Sequence, residues 1–112
     1  MGRNYGSIQE FFADIDTNFK KDKARGVTAV YQFEFSGPGG ADIHLDIQNG
    51  DVTVVEGKHA SPNTTYSVSA ENYLKNVNGE LSGRRAALTR KMKVSGSIPF
   101  ALKMEKFLPP PK

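Results

Sequence analysis

The run Ala29-Val30-Tyr31-Gln32-Phe33-Glu34-Phe35 leads through Ser36-Gly37-Pro38-Gly39-Gly40 into Asp42-Ile43-His44-Leu45-Asp46-Ile47-Gln48, and these residues set the fold class. Ala29, Tyr31, Phe33 and Phe35 alternate with Val30, Gln32 and Glu34, and Ile43, Leu45 and Ile47 alternate with polar residues. A period of two places one apolar row on one face of a strand. The glycine-proline cluster between the runs is turn-forming. Asn49-Gly50 is a strong signal for a two-residue hairpin. Beyond it, residues 51–56 read as a third strand with Val52 and Val54 on one face, and residues 57–63, with Gly57, Ser61, Pro62 and Asn63, as a loop. Residues 64–69 give a fourth strand showing Tyr66 and Val68. Hairpin-linked strands with one polar face describe an antiparallel sheet covered on one side.

Outward from the sheet the period changes to that of a helix. Residues 1–6 read as a loose tail. Ser7-Ile8-Gln9-Glu10 fits a capping box. Ile8, Phe11, Phe12, Ile15 and Phe19 then form one apolar stripe, which predicts an amphipathic helix closed by Gly26. On the other side, Ser69 caps a short helix through Tyr73, Leu74 and Val77, stopped by Asn78-Gly79. Residues 84–90 read as a second short helix, and residues 92–97 as a fifth strand with Met92 and Val94 alternating against lysines and serine. Pro99 stands where the first turn of a helix accepts proline. Ile98, Phe100, Ala101, Leu102, Met104, Phe107 and Leu108 crowd that last helix before Pro109-Pro110-Pro111 ends it. Its apolar residues cover more than one face, so it needs two apolar neighbours. One is the sheet; the second is a bound lipid, a second copy of the chain or another helix.

The chain has 112 residues, 38% hydrophobic and 24% charged. That size suits one domain with one core, which removes about 60–70% of the unfolded surface from water. No apolar run is long enough to span a bilayer and no secretory signal is visible. Cysteine is absent, which excludes disulfides, thiolate metal sites and cysteine nucleophiles. A cytoplasmic protein is expected. The net charge of +3 is uneven: residues 1–79 hold seven Lys/Arg against ten Asp/Glu, and residues 80–112 hold eight against two. A basic last third suits phosphate groups, on nucleic acid or anionic lipid, or is simply a solvated surface.

Catalytic and metal signatures are weak. His44 lies on the polar face of a strand with Asp42 and Asp46 at a spacing that points all three one way. No third strong ligand accompanies them, and no metal is expected. His59 falls in a loop and is expected to be solvated. No nucleophile-elbow sequence surrounds the serines. The cluster at residues 37–40 lacks the Lys-Ser/Thr of a phosphate loop. Asn63-Thr64-Thr65 matches the glycosylation triplet, a chance match without a secretory signal. Tyr31, Phe33 and Phe35 share the face expected to be buried, which argues against RNA binding by an exposed aromatic sheet.

The order of elements resembles the sterol carrier protein 2 domain family. The residues that carry the resemblance are Phe35-Ser36-Gly37-Pro38-Gly39-Gly40, Asp46-Ile47-Gln48-Asn49-Gly50, and the stretch from Ser69-Ala70-Glu71 to Met104. Within that stretch, Lys91-Met92-Lys93-Val94-Ser95-Gly96 and Phe100-Ala101-Leu102-Lys103-Met104 fall in the family's order. The resemblance spans about residues 7–108. It implies an α+β fold with a five-stranded, mostly antiparallel sheet, helices on one face and an apolar tunnel between them. It also implies non-covalent binding, and transfer, of fatty acids, acyl-CoA or other apolar chains, without catalysis or a cofactor. The implied lining residues are Phe33, Phe35, Leu45, Leu74, Leu88, Met92, Val94, Ile98, Leu102 and Met104. Arg84, Arg85 and Arg90, with Lys103, stand ready for an anionic headgroup. Arg90 replaces a usual glycine, Ser97 a frequent Asp or Asn, and Ala87 a frequent aromatic, which reshapes the cavity.

The C-terminus is not a peroxisomal signal. A stand-alone, prokaryotic-type member is therefore expected, for which sterol is not the natural ligand. The expected partners are a lipid or fatty acyl ligand, a transient anionic membrane surface and a second copy of the chain, with no nucleic acid. The alternative is a structural or interaction module that dimerises through its terminal helix or serves a partner enzyme.

Overall fold

The computed structural model describes residues 5–81 and 91–108. Ser7 caps α1 (Ile8–Ala13) by accepting the Glu10 N–H at 3.2 Å. The stripe expected to form one helix as far as Gly26 instead breaks at Asp14, and a short α2 (Ile15–Asn18) follows. The break has a polar cause. One Asp14 carboxylate oxygen accepts the Tyr5 hydroxyl at 2.8 Å and the other accepts the Thr17 hydroxyl at 2.6 Å. Side chains of this kind compete with the helical backbone for hydrogen bonds. Ile8, Phe11, Phe12, Ile15 and Phe19 are all buried nonetheless. Tyr5, read from sequence as tail, is buried; its N–H and C=O both bond to the Asn78 side-chain amide.

The strands follow as β1 (Thr28–Ser36), β2 (Asp42–Gln48), β3 (Asp51–Glu56), β4 (Thr64–Ser69) and β5 (Met92–Gly96). Their order in the sheet is β3-β2-β1-β4-β5, and only the β1–β4 pair is parallel. The β2–β3 hairpin closes over Asn49 and Gly50, both with positive φ, as this turn requires. Gly96 also has positive φ, and a Cβ there would stand 2.6 Å from the Asn63 carbonyl oxygen, so only glycine fits. The third helix, α3 (Ala70–Val77), is capped by Ser69, and the fourth, α4 (Ile98–Phe107), by Ser97 with Pro99 in its first turn. The helix read at residues 84–90 lies outside the described residues.

Helices α1, α3 and α4 cover one face of the sheet. Phe12 of α1 and Tyr73 of α3 meet Phe33 and Phe35 with ring centroids 5.0–5.8 Å apart. Phe107 of α4 packs on Tyr31 at 5.8 Å and on Phe19 at 5.4 Å. The Tyr31 hydroxyl donates to the Phe100 carbonyl at 2.6 Å, tying α4 to the middle strand.

The other face is not simply solvated. Residues 57–63 connect β3 to β4, so they must cross β2 and β1. This strap is held by Gln32, which is 1% exposed. Gln32 Nε2 donates to the Ile43 and Gly57 carbonyls at 3.2 and 3.3 Å, and its Oε1 accepts the His59 N–H at 2.8 Å. Asn63 closes the strap by exchanging two hydrogen bonds with the backbone of Val30. No helix among the described residues is long and apolar enough to cross a membrane.

Candidate functional site

The space between the sheet and α1/α3 is filled with aromatic rings. Phe33 stacks on Tyr66 at 5.1 Å and on Phe35 at 5.6 Å, and Phe12 lies parallel to Tyr73 at 6.1 Å. At the carboxyl ends of β1 and β4 this layer opens into a cleft of about 560 Å³. Phe35 and Val68 give it apolar walls; Glu34, Ser36, Ser67, Ser69, Asn72 and Lys91 supply polar groups. Such a volume is ordinary for a small-molecule site, which runs from about 300 to 1,000 Å³. Glu34 already has a cation, Lys58, at 3.9 Å. Lys91 has no carboxylate partner among the described residues.

The strand register gathers part of the expected lining beside this cleft. Val68 pairs with Met92 and Tyr66 with Val94, so Met92 and Val94 continue the apolar face onto the edge strand β5. Both are half-buried, as is Leu74 of α3. Phe33, Leu45 and Met104 are buried in the core, with Leu45 under β2 and Met104 under α4. Ile98 and Leu102 do not join them: they are 55% and 59% exposed and stand on the outer side of α4, away from the sheet. Leu88, Arg84, Arg85 and Arg90 lie outside the described residues. The residues that sequence reasoning missed are Ser69, Asn72 and Lys91. The Ser69 cap and the start of the Lys-apolar-Lys strand marked these positions, but not that the two meet at one cleft.

Three buried phenols belong to the same layer. Burial raises the Tyr31 hydroxyl to about 12. Burial raises Tyr66 still further, with smaller repulsion from Tyr31 and Glu105, and raises Tyr73 with help from Tyr66. All three remain neutral near pH 7, the form suited to an apolar layer.

On the opposite face the structure corrects the reading of both histidines. His44 is buried rather than facing solvent, and its Nδ1 lies 3.0 Å from the Gly57 carbonyl oxygen. His59 meets it edge to face at 5.2 Å and accepts the Ser61 N–H on its own Nδ1. These histidines pin the strap. Among the described residues no group of three His, Asp or Glu side chains is placed to hold a metal ion.

Known proteins share this fold. The chain is 29% identical over 106 residues to hydroxysteroid dehydrogenase-like protein 2 of Rattus norvegicus, a match covering 94% of this chain and 20% of that protein. The chain thus spans about a fifth of the length of that relative. The stereoselective inverting sec-alkylsulfatase Pisa1 from Pseudomonas sp. contains a similar fold, with a TM-score of 0.75 at 18% identity over 90% of this chain and 16% of that one. Palmitated SCP2L2 from Aedes aegypti superposes with a TM-score of 0.68 at 24% identity, over 87% of this chain and 86% of its own. Residues 8–109 match the sequence model of the SCP-2 sterol transfer family. That match runs from the first residue of α1 past the end of α4, and so takes in the helices, the sheet and the cleft between them: the chain belongs to the SCP-2 sterol transfer family.

Proposed function

We propose that the protein binds a single-chain lipid, a fatty acid or its thioester, between β4/β5 and α3, with the polar end of the ligand in the cleft. The carrying observation is the continuity of an apolar wall, Phe35, Val68, Met92, Val94 and Leu74, with a polar rim holding Lys91. Leu74, Met92 and Val94 are only half-buried, so a chain laid across them removes further apolar surface from water. Methionine adapts to several chain shapes, which favours breadth over selectivity. Lys91 and the hydroxyl and amide groups of Ser69 and Asn72 suit a carboxylate or phosphate. Arg90 precedes Lys91 in the chain, and Arg84 and Arg85 precede both; these three belong to the same headgroup reading. The role is carriage without chemistry. Palmitate in the Aedes aegypti relative supports an acyl ligand.

Displacement of a fluorescent fatty acid tests this. Each added methylene contributes about 0.8 kcal/mol when buried, so affinity should rise about tenfold or more per two carbons between roughly ten and eighteen carbons. Affinity that is flat with chain length, or no saturable binding, refutes the reading.

A second reading has one observation of its own. The chain covers only 20–25% of the curated hydroxysteroid dehydrogenase-like relatives, so this fold also serves as one part of larger proteins. As such a part it presents lipid to a neighbouring enzyme or acts as an interaction module. A stable complex that forms without lipid and leaves the cleft empty would favour the interaction module.

A further inference from the structure

Two of the four tyrosines use their hydroxyls to hold the fold. Tyr5 bonds to Asp14 and Asn18, and Tyr31 donates to the Phe100 carbonyl at 2.6 Å. Thr64, buried on the same strand as Tyr66, donates to the Ser97 carbonyl at 2.9 Å. The other two tyrosines differ. Neither the Tyr66 nor the Tyr73 hydroxyl is hydrogen-bonded to a described residue, although these residues are only 9% and 7% exposed. Glu105 acts on Tyr66 through space without bonding to it.

Both phenols stand beside Phe33, Tyr66 with its ring 5.1 Å away on β4 and Tyr73 with its ring 5.5 Å away on α3. Tyr66 shares a face with Val68 and pairs with Val94, as Val68 pairs with Met92. An acyl chain that runs from the cleft over Val68 toward Val94 thus meets Tyr66, while Tyr73 leans in from α3 across Phe35 and Phe33. Among the described residues no fully sealed polar side-chain atom lacks a partner. The two hydroxyls therefore touch open space rather than ring faces on every side. Burial raises both phenols above the ordinary tyrosine value, so this space is not bulk water. Phenylalanine at either position would keep the ring and avoid the folding cost of an unsatisfied donor. A donor aimed into such space complements an acceptor that a ligand brings.

We propose that Tyr66 and Tyr73 make the carrier selective for acyl chains bearing an oxygen part-way along, a keto or hydroxyl group, over plain chains. The proposal rests on the carrier reading and names its ligand class more closely. A phenol donates to a keto oxygen, and toward a hydroxyl it both donates and accepts. A neutral oxygen suits the aromatic layer better than the carboxylate end, which loses far more hydration there and has Lys91 in the cleft. A plain chain leaves the two donors unpaired, and a site built to hydrogen-bond an oxygen rejects the analogue that lacks it.

The test is displacement of a fluorescent fatty acid by stearate and by a series of keto-stearates with the oxygen moved along the chain. In the parent the keto acids should bind tighter than stearate, with a maximum at one region of the chain. In Tyr66→Phe/Tyr73→Phe the keto-over-stearate ratio should fall about fivefold or more, while stearate affinity holds. Each single variant should lose part of the ratio. The infrared keto stretch of an isotope-labelled ligand should lie lower on the parent than on the double variant, because only the parent hydrogen-bonds it. Ligand-free melts of the variants should not fall below the parent, since no bond within the fold is removed. A ratio unchanged by the variants, no preference at any keto position, or a lowered melt with an unmoved keto stretch overturns the proposal. Stearate bound by the parent without keto preference defeats the selectivity alone. Failure of every acid to bind defeats the carrier reading and the selectivity with it.

Discussion

Replacing Gln32 by alanine should loosen the strap without touching the helix-covered face. The amide donates to the Ile43 and Gly57 carbonyls and accepts the His59 N–H at 2.8 Å. The three contacts do not cost the same to lose. Ile43 remains in the sheet ladder, and the Gly57 carbonyl keeps His44 Nδ1 at 3.0 Å. The His59 N–H loses its acceptor, and an unsatisfied donor costs about 1–3 kcal/mol. With the lost side-chain volume the total is about 2–4 kcal/mol, a fall in Tm of roughly 8–16 °C for a domain of this size. Amide hydrogen exchange should show the loss concentrated at His59 and Asn63. Gln32→Glu sharpens the argument. A carboxylate still accepts from His59 but faces two carbonyl oxygens, so the folded state favours its protonated form and raises its pKa. The variant should therefore be closest to the parent below about pH 4.3, the ordinary glutamate value, and lose stability as pH rises above it. A Gln32→Ala melt within about 2 °C of the parent, or a Gln32→Glu protein that gains stability with pH, would refute the role assigned to the strap.

Other outcomes follow from the same contacts. Ser69→Ala removes the acceptor of the Asn72 N–H at 3.1 Å and should cost about 1 kcal/mol in a denaturant melt. Leu102→Asp should change stability by less than about 1 kcal/mol, because the side chain is 59% exposed; an unfolded variant would show that this face is buried. Lys91→Glu should weaken binding of fatty acids while sparing an uncharged analogue of equal chain length, measured by displacement; equal effects on both would remove Lys91 from the headgroup site. In an ultraviolet titration Tyr31 should ionise near pH 12, with Tyr66 and Tyr73 later. Because these folded values are raised, the associated stability is complete below pH 10 and declines as the unfolded phenols ionise above it. Tyrosines that all titrate near pH 10 would contradict their burial.

Periodicity alone determined much of this protein. Alternation in residues 29–56 located three strands and their inner face, because a strand turns its side chains over with each residue. Asn49-Gly50 named its hairpin, since few residue pairs accept positive φ twice. Ser69 marked one helix start through a hydrogen bond within three residues, and Pro99 marked another by its fixed φ, whereas Ser97, read as the end of a strand, proves to be the cap of that last helix. The last helix showed apolar residues on more than one side, and the structure places Ile98 and Leu102 on the outer one. What depended on long-range contact was hidden. Asp14 breaks the first helix through bonds that include Tyr5, nine residues away. Gln32 and His44 alternate as solvent-facing residues do, yet a crossover from the far edge of the sheet buries both. The parallel β1–β4 pairing creates that crossover, and no local pattern encodes which strand lies beside which. The cleft has the same origin: Phe35, Asn72 and Lys91 are far apart in the chain and meet only because β4 inserts between β1 and β5.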